Sequence, residues 1–82
     1  MNLMNEVINM HNTYSVKDIA AIFGLQYHTM RRNLQKSGLQ KYPRTSRYGK
    51  YNVYEVGDAL FGFDKKQTDE YVNEWRENHA NG

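Results

Sequence analysis

The chain has no cysteine, which excludes disulfides and cysteine-ligated zinc as the means of holding its 82 residues together. Its three histidines, His11, His28 and His79, lie far apart and lack the close spacing of metal ligands, so no metal site is expected. No apolar run approaches the ~20 residues that cross a bilayer. The opening stretch, MNLMNEVINM, carries Glu6 but neither lysine nor arginine and makes a poor secretory leader, so a cytoplasmic protein without membrane contact is expected. There is no internal repeat and no low-complexity tract. Also missing are a phosphate-cradling glycine loop and a pairing of nucleophile with base, so neither an enzyme nor a cofactor is expected.

What is present suits one small domain. Hydrophobic residues make up 39% and charged residues 24%, ordinary values for a globular chain of this length. The net charge of +2 conceals an asymmetry. Seven basic residues, Arg31, Arg32, Lys36, Lys41, Arg44, Arg47 and Lys50, occupy a window that has no acid at all. From Asp64 to Glu77, five acids face three bases. A basic middle beside a mildly acidic tail points to a polyanion-binding face.

The stretch Ser15–Gly38 carries the strongest local signals. Ser15 is a good N-cap for a helix over Val16–Phe23, with Asp18 as a short capping-box partner. Val16, Ile19, Ala20 and Phe23 fall at helical spacing on one face. Gly24 suits the left-handed residue that ends a helix, and Leu25 returns to the core. A second helix is expected from Tyr27 to about Lys36, with Met30 and Leu34 as its inner stripe and Gly38 closing it. Its other side carries Gln26, Tyr27, His28, Arg31, Arg32 and Gln35, all rich in hydrogen-bonding groups. Two helices, a glycine turn and a small Ala20 at the crossing give a helix–turn–helix pattern; the bland alternative is a helical hairpin in a bundle.

Around this stretch the signals are shorter. Leu3–Met10 can form an amphipathic helix or fray, and Asn12-Thr13 reads as a linker. Residues 39–54 read as a β-hairpin, with Pro43 barring helix and Lys50-Tyr51-Asn52-Val53-Tyr54 alternating; its tip is RTSRYGK. Tyr51 and Val53 are expected on opposite faces, with Tyr51 and Tyr54 mostly structural. A third helix over Glu55–Phe63 has Asp58 in its first turn and Val56, Ala59, Leu60 and Phe63 inside. A last helix from about Lys66 to Asn78 puts Tyr71, Val72, Trp75 and His79 on one side, with Trp75 expected to pack on the core rather than to serve self-association.

In this order the motifs resemble the winged helix–turn–helix domain of MerR-type regulators, phage excisionases and some phage small terminase subunits. The resemblance runs from Tyr14 to Leu60. Tyr14-Ser15-Val16 through Asp18-Ile19-Ala20 is similar to the opening of that fold, and Phe23-Gly24-Leu25 to its turn. Thr29-Met30-Arg31 is similar to the Thr-Leu-Arg of the MerR recognition helix. Gly38-Leu39, Pro43 and Arg44, then Tyr51-Asn52-Val53-Tyr54 and Asp58, resemble the wing and the helix after it. Gln26 departs from the family's capping Ser, Asn52 from its phosphate-binding Arg, and Asn33 stands where an apolar residue is preferred.

The expected fold class is therefore mainly α with a small β-hairpin, a winged helix–turn–helix. Residues 1–13 would be an N-terminal segment, 14–63 the DNA-binding domain, and 64–82 a C-terminal helix and tail. The resemblance implies a small sequence-specific double-stranded DNA-binding protein, a regulator of transcription or an architectural factor in recombination. Gln26, Tyr27, His28, Arg31, Arg32 and Gln35 would form the recognition helix face, and Lys41, Arg44, Arg47, Tyr48 and Lys50 the wing. Cooperative self-association on DNA is expected, and a small-molecule effector is not. The competing readings are a protein–protein adaptor on the same scaffold and a terminase-like DNA-packaging recognition protein.

Overall fold

The computed structural model describes residues 12–42 and 49–80. The expected helix at Leu3–Met10 lies outside the described residues, as do residues 43–48, which hold most of the expected hairpin tip at 44–50. The chain is mainly helical with a small antiparallel sheet: β1 (Thr13–Tyr14), α1 (Val16–Phe23), α2 (Tyr27–Ser37), β2 (Tyr51–Asn52), α3 (Val53–Phe61) and α4 (Lys65–Ala80).

Local chemistry sets α1 and α2. The Ser15 hydroxyl accepts from the Asp18 amide at 3.2 Å, satisfying one free donor of the first turn. At the other end Gly24 takes φ 74°, where a side chain would be strained. Leu25 N–H then reaches back to Ala20 O at 2.9 Å, and Gly24 N–H to Ala21 O at 3.3 Å. This pair of bonds reverses the chain over three residues and brings Met30 and Leu34 of α2 onto Ile19 and Ala20, all buried. Ile22, outside the expected inner face, is buried as well.

The sheet corrects the expected hairpin. Tyr42 and Lys50 do form an antiparallel pair, with backbone bonds of 2.7 and 2.8 Å. The next two residues do not extend it; Tyr51–Asn52 pairs antiparallel with Thr13–Tyr14, in register Tyr14↔Tyr51 and Thr13↔Asn52. Asn12-Thr13 is therefore not a free linker. Asn12 sits at φ 63°, a conformation asparagine tolerates, and its carbonyl accepts from Val53 N–H at 3.0 Å.

The strand also ends two residues earlier than its composition predicts. The Asn52 side chain accepts from Tyr54 N–H at 2.9 Å and Glu55 N–H at 3.2 Å, so Val53 and Tyr54 open α3 instead of closing a strand. Tyr51 and Val53 are both buried, not opposed, since residues two apart along an extended chain share a face. Two further expectations change with the cap. Glu55, not Asp58, is the acid of the first turn. Ala59 is exposed, and the buried residues of α3 are Val53, Val56 and Gly57.

Asp64 starts α4 through reciprocal bonds: its carboxylate accepts from Gln67 N–H at 2.8 Å, and the Gln67 side chain accepts from Asp64 N–H at 3.2 Å. The helix packs on α1 and α3 through Thr68, Val72 and Trp75. Tyr71, expected on that inner side, is 40% exposed and stacks on Phe63 at 5.2 Å. Trp75 packs edge-to-face on Tyr14, centroids 5.5 Å apart, which ties α4 to β1.

Candidate functional site

Three parts of the chain meet beside the outer side of α2. The first turn of α1 brings Lys17; α2 brings Tyr27, Arg31 and Gln35; the segment leaving α2 brings Lys41. Together they line a groove of about 490 Å³ that runs against Leu34 and Tyr51. Three cations line it, and no aspartate or glutamate among the described residues does. Burial pushes the Tyr51 hydroxyl above its ordinary pKa.

Helical geometry sorts the remaining residues of α2. Successive side chains turn by about 100° around the axis. Met30 and Leu34 mark the direction of the core. Arg32 lies two positions from each, so it projects almost directly away from the core, with His28 one turn before it; both are exposed. Arg31 lies about 60° from Leu34, which turns it toward the groove. Asn33 and Lys36 lie on the far flank, where they line a second, shallower depression with Ser37, Ala59 and Leu60.

The residues expected to form the site thus separate. Tyr27, Arg31, Gln35 and Lys41 come together at the groove. His28 and Arg32 form a neighbouring ridge, and Gln26 is exposed at the start of α2, making no side-chain cap. Lys50 is exposed beside the pair it makes with Tyr42. Arg44, Arg47 and Tyr48 lie outside the described residues. The Asn52 side chain is engaged in capping α3, where it accepts from the Tyr54 and Glu55 amides.

Lys17 is the groove residue that linear spacing does not reveal. Its exposure follows from its place on the side of α1 away from Ile19 and Ile22, but its nearness to Arg31 and Lys41 depends on how α1 crosses α2. Glu55, outside the groove, also escapes linear spacing: it accepts from the Tyr42 hydroxyl at 2.8 Å, anchoring the chain that carries Lys41 to α3.

The acids are elsewhere. Glu70, Glu74 and Glu77 are exposed on α4, the helix packed against α1 and α3. Among the described residues no group of His, Cys, Asp or Glu converges as a metal site, and no helix is long and apolar enough to cross a membrane. The chemistry of the groove is that of an oxyanion site: fixed positive charge, a tyrosine and an amide side chain, and no competing carboxylate. Comparison with protein-family models, with curated proteins and with solved structures returned no match.

Proposed function

We propose that this chain is a small sequence-specific double-stranded DNA-binding protein of winged helix–turn–helix type, similar to the domains of MerR-type regulators and phage excisionases. It would act on DNA as a transcriptional regulator or as an architectural factor in recombination. The observation that carries the reading is the acid-free groove of Lys17, Arg31 and Lys41 alongside an exposed helix face with His28 and Arg32. A helix of α2's length fits the major groove, where its outer side chains meet base edges. Arg44, Arg47 and Lys50, expected as part of the wing, would meet the flanking backbone.

The test is binding to duplex DNA across a salt series. If four to six cations meet phosphates, log K falls against log salt with a slope of roughly −3.6 to −5.4. Binding that is flat in salt, or absent, overturns the proposal and favours an adaptor role.

A further inference from the structure

We infer that Lys17, Arg31 and Lys41 form a seat for the phosphates of one DNA strand, and that Arg31 and Arg32, adjacent in sequence, have different jobs: Arg31 clamps the backbone and Arg32 reads bases. The inference rests on the duplex-DNA reading above and adds the role of each residue within it.

The argument is one of shape and direction. In B-DNA the base edges lie at the floor of a major groove about 8.5 Å deep, so only the outermost side chains of a seated helix reach them. On α2 the outermost position is the one farthest from Met30 and Leu34, and this is Arg32, flanked one turn away on either side by His28 and Lys36, all three exposed. The strand that walls the groove is a convex ridge of charge. It matches a concavity to one side of the helix, and the groove lined by Lys17, Arg31 and Lys41 has that place and that charge. Arg31 leans into this concavity above Leu34 and so faces the ridge, not the floor. Lys17 and Lys41 come from separate parts of the chain, one in the first turn of α1 and one in the segment after α2. A phosphate row there meets cations from three parts of the chain, which fixes the register of α2 without reading sequence. Tyr27 and Gln35 add a hydroxyl and an amide along the same wall.

The test uses the full chain and two duplexes, one selected from a randomised pool and one of scrambled sequence. Affinity for each is measured by fluorescence anisotropy across a salt series. Thermal melts confirm that each variant folds; all four substituted positions are exposed. Lys17→Gln and Arg31→Gln each shrink the salt slope by about 0.9 and leave the ratio of specific to non-specific affinity unchanged. Arg32→Gln lowers that ratio by roughly tenfold or more. Lys66→Gln, which removes the same charge from α4, keeps both slope and ratio. A wild-type chain that does not bind duplex DNA overturns the DNA reading itself. A wild-type chain that binds, with Arg31→Gln lowering the ratio, or with Lys17→Gln changing the slope no more than Lys66→Gln, overturns the phosphate seat alone.

Discussion

The Thr68 side chain lies fully buried against Gly57, so close that a Cβ on Gly57 would overlap its Oγ1. This contact sets the distance between α3 and α4. Gly57→Ala therefore has opposed effects. Helix propensity favours alanine by about 1 kcal/mol. Overpacking a closed interface costs about 1–3 kcal/mol. The second wins, because Thr68 has no exposed side to move into. The expected outcome is a lower urea midpoint for Gly57→Ala. In a Thr68→Ala background the overlap is gone and the same substitution becomes neutral or stabilising, a coupling that a double-mutant cycle measures directly.

Asn52 is expected to contribute through its cap. Asn52→Ala leaves the Tyr54 and Glu55 amides without their side-chain acceptor and should cost about 1 kcal/mol in denaturant titrations. Asn52→Asp keeps an acceptor and should cost much less. Asn52→Arg, the residue found at this place in the family the chain resembles, should cost as much as alanine. An arginine as stable as asparagine would show that the cap contributes nothing.

How far the sequence foretold this structure depends on distance along the chain. Ser15, Gly24 and Gly38 act within a few residues of themselves, so α1, its turn and α2 were legible to within a residue. The β1–β2 pairing was not, because it joins Thr13 to Asn52 and neither two-residue strand has a pattern of its own. Val53-Tyr54 carries β-branched and aromatic side chains, and a local asparagine cap overrode that propensity. The site divides in the same way: Arg31, Arg32 and Gln35 are visible as an exposed helix face, whereas Lys17 joins them only through the crossing of α1 and α2.

Tyr54 gives a pH signature. Its hydroxyl donates to the Asp69 carboxylate, and that bond, with desolvation, pushes its pKa from 10.0 to about 12. A folded pKa above the unfolded one stabilises the fold fully below pH 10.0, and the contribution is lost as pH rises through about 12. Urea midpoints should therefore fall between those limits. Burial raises Tyr51 in the same direction, so some decline persists in Tyr54→Phe, but it should be shallower. An identical decline in the variant would show that the Tyr54–Asp69 bond is not the source.

The last prediction concerns the size of the functional unit. Among the described residues only Tyr27 and Tyr71 are large hydrophobic side chains counted as exposed, 51% and 40%. A stable dimer buries roughly 1,200 Å² or more in total, and two separated tyrosines do not supply its centre. Trp75, the largest apolar side chain, is half-buried against Tyr14 and has the His79 ring tilted against it, centroids 4.3 Å apart. The free chain should therefore sediment at micromolar concentration as a single species of one-chain mass. One α2 spans only a few base pairs, too few to single out a site among a million or more competitors. Under the DNA reading, selectivity then comes from adjacent copies on repeated half-sites, each contributing its own ridge of His28 and Arg32. Gel-shift titration on a site with one half-repeat deleted should show weaker binding and a lower Hill coefficient than on the intact site. Equal affinity on the two would show that one copy suffices, and a tight dimer in sedimentation would place the second copy in the free protein instead of on DNA.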